Sequence, residues 1–212
     1  MTARRAVTLI GVFAAVLALC GCQRNTTEPA SPVVVDKWTS FTSPYFSFPY
    51  PANWTAIDEG DSQGSAERNM RSLLRVDGTA VLWVGGVAGC SRPGRCSSSD
   101  TAAIFAMVAR VPGYPGPMSD QQFSQRASDI EDASRQTFGP GLRAVDRLFV
   151  HSFRAIAITA LIPNSGEAGR FYVIFVKPDH LYDVYCTASQ RLFDSYAEVF
   201  ENAIRHMEVR TG

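Results

Sequence analysis

The sequence predicts an α+β domain, a largely antiparallel sheet flanked by helices, and three observations predict it. Between Leu142 and Thr187, strand-length apolar segments follow one another with turn residues between them. Two further segments, Ser119 to Phe138 and Ser189 to Val209, repeat apolar residues at helical spacing. The stretch from Trp38 to Gly212 shows no internal repeat and no second linker, as expected of one domain with one core.

Composition narrows the function classes. The chain has 212 residues, 20 basic and 20 acidic, with 46% apolar and 19% charged side chains, which excludes a disordered or collagenous protein. A neutral sum without a basic stripe also argues against a nucleic-acid partner.

The first residues have a different character from the rest. Met1 to Arg5 is short and positive, Ala6 to Leu19 is apolar except for Thr8 and Gly11, and small residues follow, so residues 1–21 read as a signal peptide. A membrane-spanning helix is the rival, but the run is marginal against the about 20 apolar residues that spanning needs. Leu19-Cys20-Gly21-Cys22 resembles the lipobox of bacterial lipoproteins. Cys22 has the small Gly21 before it, whereas Cys20 follows the bulky Leu19; Cys20 itself occupies a position more often held by Ala, Ser or Thr. The resemblance implies cleavage before Cys22, a diacylglyceryl group on its sulfur, and a place on the extracytoplasmic face of the cell membrane. Two acyl chains suffice for stable anchoring, since each buried CH₂ contributes about 0.8 kcal/mol.

Residues 22–37 read as a flexible tether, polar and broken by Pro29 and Pro32, and at most about 50 Å long when extended. Val33-Val34-Val35 is where packing is expected to begin. Residues 38–212 form the domain. Trp38 to Trp54 alternates aromatic residues with small ones and reads as a strand ending at Pro51-Ala52-Asn53, its prolines pointing to a sheet edge. Asp58 to Met70 is polar loop or short helix. Leu73 to Val76, Asp77-Gly78 and Ala80 to Val87 predict a hairpin. Thr101 to Val111 suits a strand or a capped helix. Ser119 is the expected cap of the helix that Gly139-Pro140-Gly141 stops. Leu142 to Val150, Phe153 to Ile162, Arg170 to Lys177 and Leu181 to Thr187 are the four strands. Ala155 to Ile162 and Phe171 to Val176 are apolar nearly throughout, as strands buried on both faces are. Ser189 to Val209 is the closing helix, with Ser189 as its cap.

Tyr45-Phe46-Ser47-Phe48-Pro49-Tyr50-Pro51-Ala52-Asn53-Trp54 and the closing helix Phe193 to Met207 resemble the PsbP-like α/β/α sandwich, and within it the actinobacterial lipoproteins of the LpqN and LpqT type. The resemblance covers most of Trp38 to Val209, and the loop from Gly85 to Asp100 departs from it. It implies an antiparallel sheet between helices and a largely non-catalytic binding or assembly-accessory role, with an envelope protein or ligand of unstated identity as partner.

Cys90 and Cys96 flank a Pro93-Gly94 turn, and export permits oxidation, so a local disulfide is expected. Zinc is the rival and lacks a second pair of ligands. Cys186, on an apolar strand, is expected to be a buried free thiol. No cofactor or metal is expected: there is no phosphate or dinucleotide loop, and Asp58, Glu59 and Asp61 lack a calcium-loop ladder. Gly60-Asp61-Ser62-Gln63-Gly64 has the letters of a nucleophile elbow, which would make Ser62 a hydrolase serine, but the residues before it are polar rather than an apolar strand. His151, His180 and His206 sit in no recognisable motif. Tyr114, among Pro112, Gly113, Pro115, Gly116 and Pro117, is the recognition candidate; its alternative is a ring folded back on the core. The leading reading is therefore a lipid-anchored envelope protein with a binding domain, and the alternative is a carrier of an apolar ligand or lipid, which needs a cavity of some hundreds of Å³.

Overall fold

The computed structural model describes residues 31–58, 80–90 and 100–211. The leader, Cys22, Ser62, Cys96 and the first half of the hairpin at Leu73 to Gly78 lie outside them.

The chain enters as β1 (Trp38–Thr42), β2 (Phe46–Pro51) and β3 (Thr55–Asp58), so the single strand expected over Trp38 to Trp54 is a hairpin, and a third strand begins directly after it. Ser43 breaks it: its Oγ accepts from the amide of Phe46 at 2.9 Å and donates to the carbonyl of the same residue, closing a tight turn. β4 (Ala80–Cys90) and β5 (Thr101–Arg110) follow, so Thr101 to Val111 is resolved as a strand; its residues face apolar neighbours on both sides of a sheet. Helix α1 (Asp120–Phe138) begins at Ser119, whose hydroxyl accepts from the Gln122 amide while the Gln122 side chain accepts from Ser119, a complete capping box. Next come β6 (Leu142–Val150), β7 (Phe153–Ile162), β8 (Glu167–Ile174) and β9 (His180–Ser189).

The end of the chain differs from the expectation. Ser189 is the last residue of β9 and caps nothing; a 3-10 turn (Phe193–Tyr196) leads into a shorter helix α2 (Ala197–Arg205), and Glu208–Val209 is a strand, β10. The apolar stripe from Leu192 to Met207 is real, but its first residues pack from the 3-10 turn and its last returns the chain to β2.

Seven strands form one antiparallel sheet in the order β3-β4-β5-β9-β8-β7-β6, and β1-β2-β10 form a small second sheet. The prolines of β2 therefore lie in a strand with partners on both sides, contrary to the edge position expected. The reason they are tolerated is local: β10 reaches only Phe46 and Ser47, so at Pro49 and Pro51 the strand is paired to β1 alone.

Two apolar layers sandwich the large sheet. On one face α2 and the small sheet bury Phe46, Phe48, Trp83, Tyr182, Tyr196 and Phe200; on the other α1 buries Phe123, Ala127, Ile130 and Phe138 against β6 to β9. This is the α+β arrangement, sheet between helices, that the resemblance implied. Phe46 meets Trp83 at 5.9 Å and Tyr182 edge-on at the same distance. Trp54 lies across β4 because residue 89 is glycine: a Cβ there would come within 2.3 Å of the indole.

The chain docks on the domain before β1 begins. Val33 donates its amide to the carbonyl of Ser195 at 2.8 Å, and Val33 and Val35 pack half-buried on the α2 layer.

Candidate functional site

The loop that carries Tyr114 is fixed from both ends. The amide of Val111 donates to the carbonyl of Asp179, the amide of Asp179 donates to that of Tyr114, and Oδ1 of Asp179 accepts from Gly113 at 2.6 Å. The β5–α1 loop is thus clamped to the β8–β9 turn, where Asp179 takes φ of 58° and Gly113 φ of 76°. Gly116 completes the clamp, since a Cβ on it would sit 2.6 Å from the Pro178 ring.

Held this way, Tyr114 turns inward. Its ring is 8% exposed and stacks on Phe175 at 6.0 Å with an interplanar angle of 7°, while Phe123 meets Phe175 edge-on. What stands at the surface beside it is Arg126 on α1, with its guanidinium 5.7 Å from the Tyr114 ring centre. Burial pushes the Tyr114 phenol well above its ordinary range and the nearby Asp183 carboxylate adds to the shift; Arg126 opposes both through its charge and a side-chain hydrogen bond.

Asp183 lies beneath, in the middle of β9, with Met107 of β5 and Val173 of β8 as cross-strand neighbours. It is 4% exposed. Its Oδ2 accepts from the Tyr185 hydroxyl at 2.8 Å, and its Oδ1 has no hydrogen-bond partner. Burial pushes its pKa up to about 7, against the pull of the Tyr185 hydrogen bond. Arg126 Nε is also buried without a partner. Outside this chain of polar groups is an open cleft of about 350 Å³, lined by Pro115, Pro117, Met118, Gln122, Gln125, Arg126 and Asp129.

A second open cleft of about 270 Å³ lies at the β6 edge, between Leu148, Phe149, Arg170, Tyr172, Glu201 and Arg205. Arg170 donates to Asp146 at 3.0 Å and its guanidinium lies over Tyr172. Both clefts open to solvent. At the far end of β8, Glu167 is half-buried with Oε2 unpartnered, and burial raises its pKa to about 7.

The arrangement places polar groups where a ligand could meet them. Asp183 can keep its proton near neutrality, and Arg126 with two glutamine side chains offers charge and hydrogen bonds beside apolar Pro and Met. The three histidines stand on separate elements: His151 in the β6–β7 turn at φ 54°, His180 with Nδ1 on the Pro178 carbonyl, and His206 with Nδ1 on the Asn202 carbonyl after α2. Among the described residues no group of His, Cys, Asp and Glu could hold a metal ion, and no helix is long and apolar enough to cross a membrane. Cys90 is buried at the end of β4, with its carbonyl accepting from Asn53; Cys186 is a free, fully buried thiol in β9. Asp183 escaped the sequence reading. Its signal was there: one acid in the apolar run His180 to Cys186, at the parity of Leu181 and Tyr185.

No family profile matches the chain, and no curated protein matches it. Among solved structures it is similar to LpqN of Mycobacterium tuberculosis, described as involved in cell envelope biogenesis, with a TM-score of 0.49 and 10% identity over 82% of this chain and 91% of that one. It is similar in architecture to LpqN. Cyanobacterial PsbP from Synechocystis aligns with a TM-score of 0.42 and 8% identity over 90% of this chain and 98% of its own. A Pseudomonas aeruginosa protein described as a putative regulator gives 0.43 and 9%, over 82% and 99%.

Proposed function

We propose that the chain is an exported lipoprotein of the cell envelope, held at the extracytoplasmic face of the membrane by a diacylglyceryl group on Cys22, and that its domain binds a protein or other envelope component without chemistry. The observation that carries this is Leu19-Cys20-Gly21-Cys22 directly after a positive, then apolar, leader. Val33, eleven residues after Cys22, is bonded to Ser195 of the folded domain. The binding half rests on the Arg126 cleft and on the dispersal of the histidines, each committed to its own element.

Intact mass and detergent partitioning of the native product test the anchor. The expected product begins at Cys22, carries the lipid and enters the detergent phase, and Cys22→Ala stays in the aqueous phase. A native product that keeps its leader or lacks lipid overturns the reading. A crosslinking pull-down from intact membranes, repeated with Arg126→Glu, tests the cleft. A partner captured by the wild type and lost in the variant is expected, whereas equal capture by both removes the cleft from the reading.

A further inference from the structure

We infer that the face where the tether enters the domain rests on the bilayer, with Val34 and Trp38 as its apolar contacts and a lipid headgroup layer as the occupant. This rests on the lipid anchor at Cys22. Four large apolar side chains are exposed among the described residues: Val34 at 84%, Trp38 at 36%, Leu82 and Phe149. Two of the four lie within five residues of one another, at the place where the chain arrives from the anchor.

The local structure explains why they point outward. Val33 and Val35 turn toward the α2 layer, and the hydrogen bond from Val33 to Ser195 fixes that orientation, so Val34 between them faces away from the domain. Trp38 opens β1 opposite Pro51, and β1 is the outer strand of the small sheet. An indole with one apolar body and one N–H donor suits the headgroup region, where Trp concentrates.

The length of the tether supplies the rest of the argument. The eleven residues from Cys22 to the docked Val33 can span at most about 36 Å. A contact too weak to hold a free protein on a membrane becomes populated when the tether keeps it at millimolar effective concentration. Asp36 and Lys37 lie between the two apolar residues and cancel in charge, so apolar contact and the indole carry the interaction and anionic lipid adds nothing.

Trp38 can be read separately, because Trp54 and Trp83 are only 6% and 5% exposed. The lipidated full chain is reconstituted into phosphatidylcholine vesicles with and without brominated acyl chains, and flotation and tryptophan emission are measured together. The expected result is loss of part of the emission in brominated vesicles, abolished in Trp38→Phe and weakened in Val34→Ser, with equal loss when anionic lipid is included. Unquenched emission from vesicles that float with the protein overturns the contact and leaves the anchor standing. Protein that does not float overturns both. Quenching that appears only with anionic lipid replaces an apolar contact by an electrostatic one and also overturns the inference.

Discussion

Tyr185 donates its hydroxyl hydrogen to Oδ2 of Asp183 at 2.8 Å inside an apolar layer, and the other oxygen of that carboxyl has no partner. The pair therefore stabilises a carboxyl that water would stabilise better, and this sets how the fold responds to pH.

Burial raises Asp183 to about 7 and Glu167 to about 7, from ordinary values near 4 in the unfolded chain. Below about pH 4 both states hold these protons. Between about 4 and 7 the unfolded chain releases them and the folded chain keeps them, so stability falls as pH rises through that window and levels off above it. For Asp183 the loss is on the order of 4 kcal/mol. Urea unfolding at pH 4, 5.5, 7 and 8 is expected to show this decline, and Asp183→Asn to remove most of it, gaining stability at pH 8 and little at pH 4. A variant that tracks the wild type at every pH contradicts the assignment.

Tyr114→Ala removes a ring stacked on Phe175 and lying against Arg126. The expected cost is about 3 to 5 kcal/mol, as for other large aromatic truncations in a core. Thermal unfolding measures it; a cost below about 0.5 kcal/mol would be that of an exposed ring.

Gly116→Ala places a methyl group 2.6 Å from the Pro178 ring, at the seam between the β5–α1 loop and the β8–β9 turn. Overpacking of this kind costs about 1 to 3 kcal/mol. Amide exchange at Gly113 and Asp179, whose hydrogen bonds close the seam, should accelerate with it.

Cys186 is fully buried, and burial pushes its thiol up, so iodoacetamide should not label it in the native protein. After denaturation without reductant it becomes the thiol that labels, if Cys90 and Cys96 are bridged as proposed. Additional labelling at both of those positions would remove the bridge, which closes a short loop and contributes roughly 2 kcal/mol.

Much of the sheet was legible because the apolar runs of β7 and β8 are long and the turn at Pro163 to Gly166 is marked by its residues. Helix α1 was legible for a local reason, since its cap, its stripe and its glycine stop all lie within the segment. The failures are non-local. Nothing near Ser189 says that β8 holds it in a strand, and nothing near Pro49 says that β10 stops short of it. The inward ring of Tyr114, an alternative the sequence did offer, is held by Asp179 far along the chain, and Asp183, whose parity with Leu181 and Tyr185 was readable, owes its burial to two neighbouring strands.

The amide of Val33 is bonded to Ser195 in the 3-10 turn ahead of α2. Any tug arriving from residues before Ser31 therefore passes first into that turn and the helix behind it. The seven-stranded sheet is loaded second, across apolar contacts. Under force the helical layer would peel before the strands shear, which would leave Tyr114, Arg126 and the opposite face the last part of the molecule to yield.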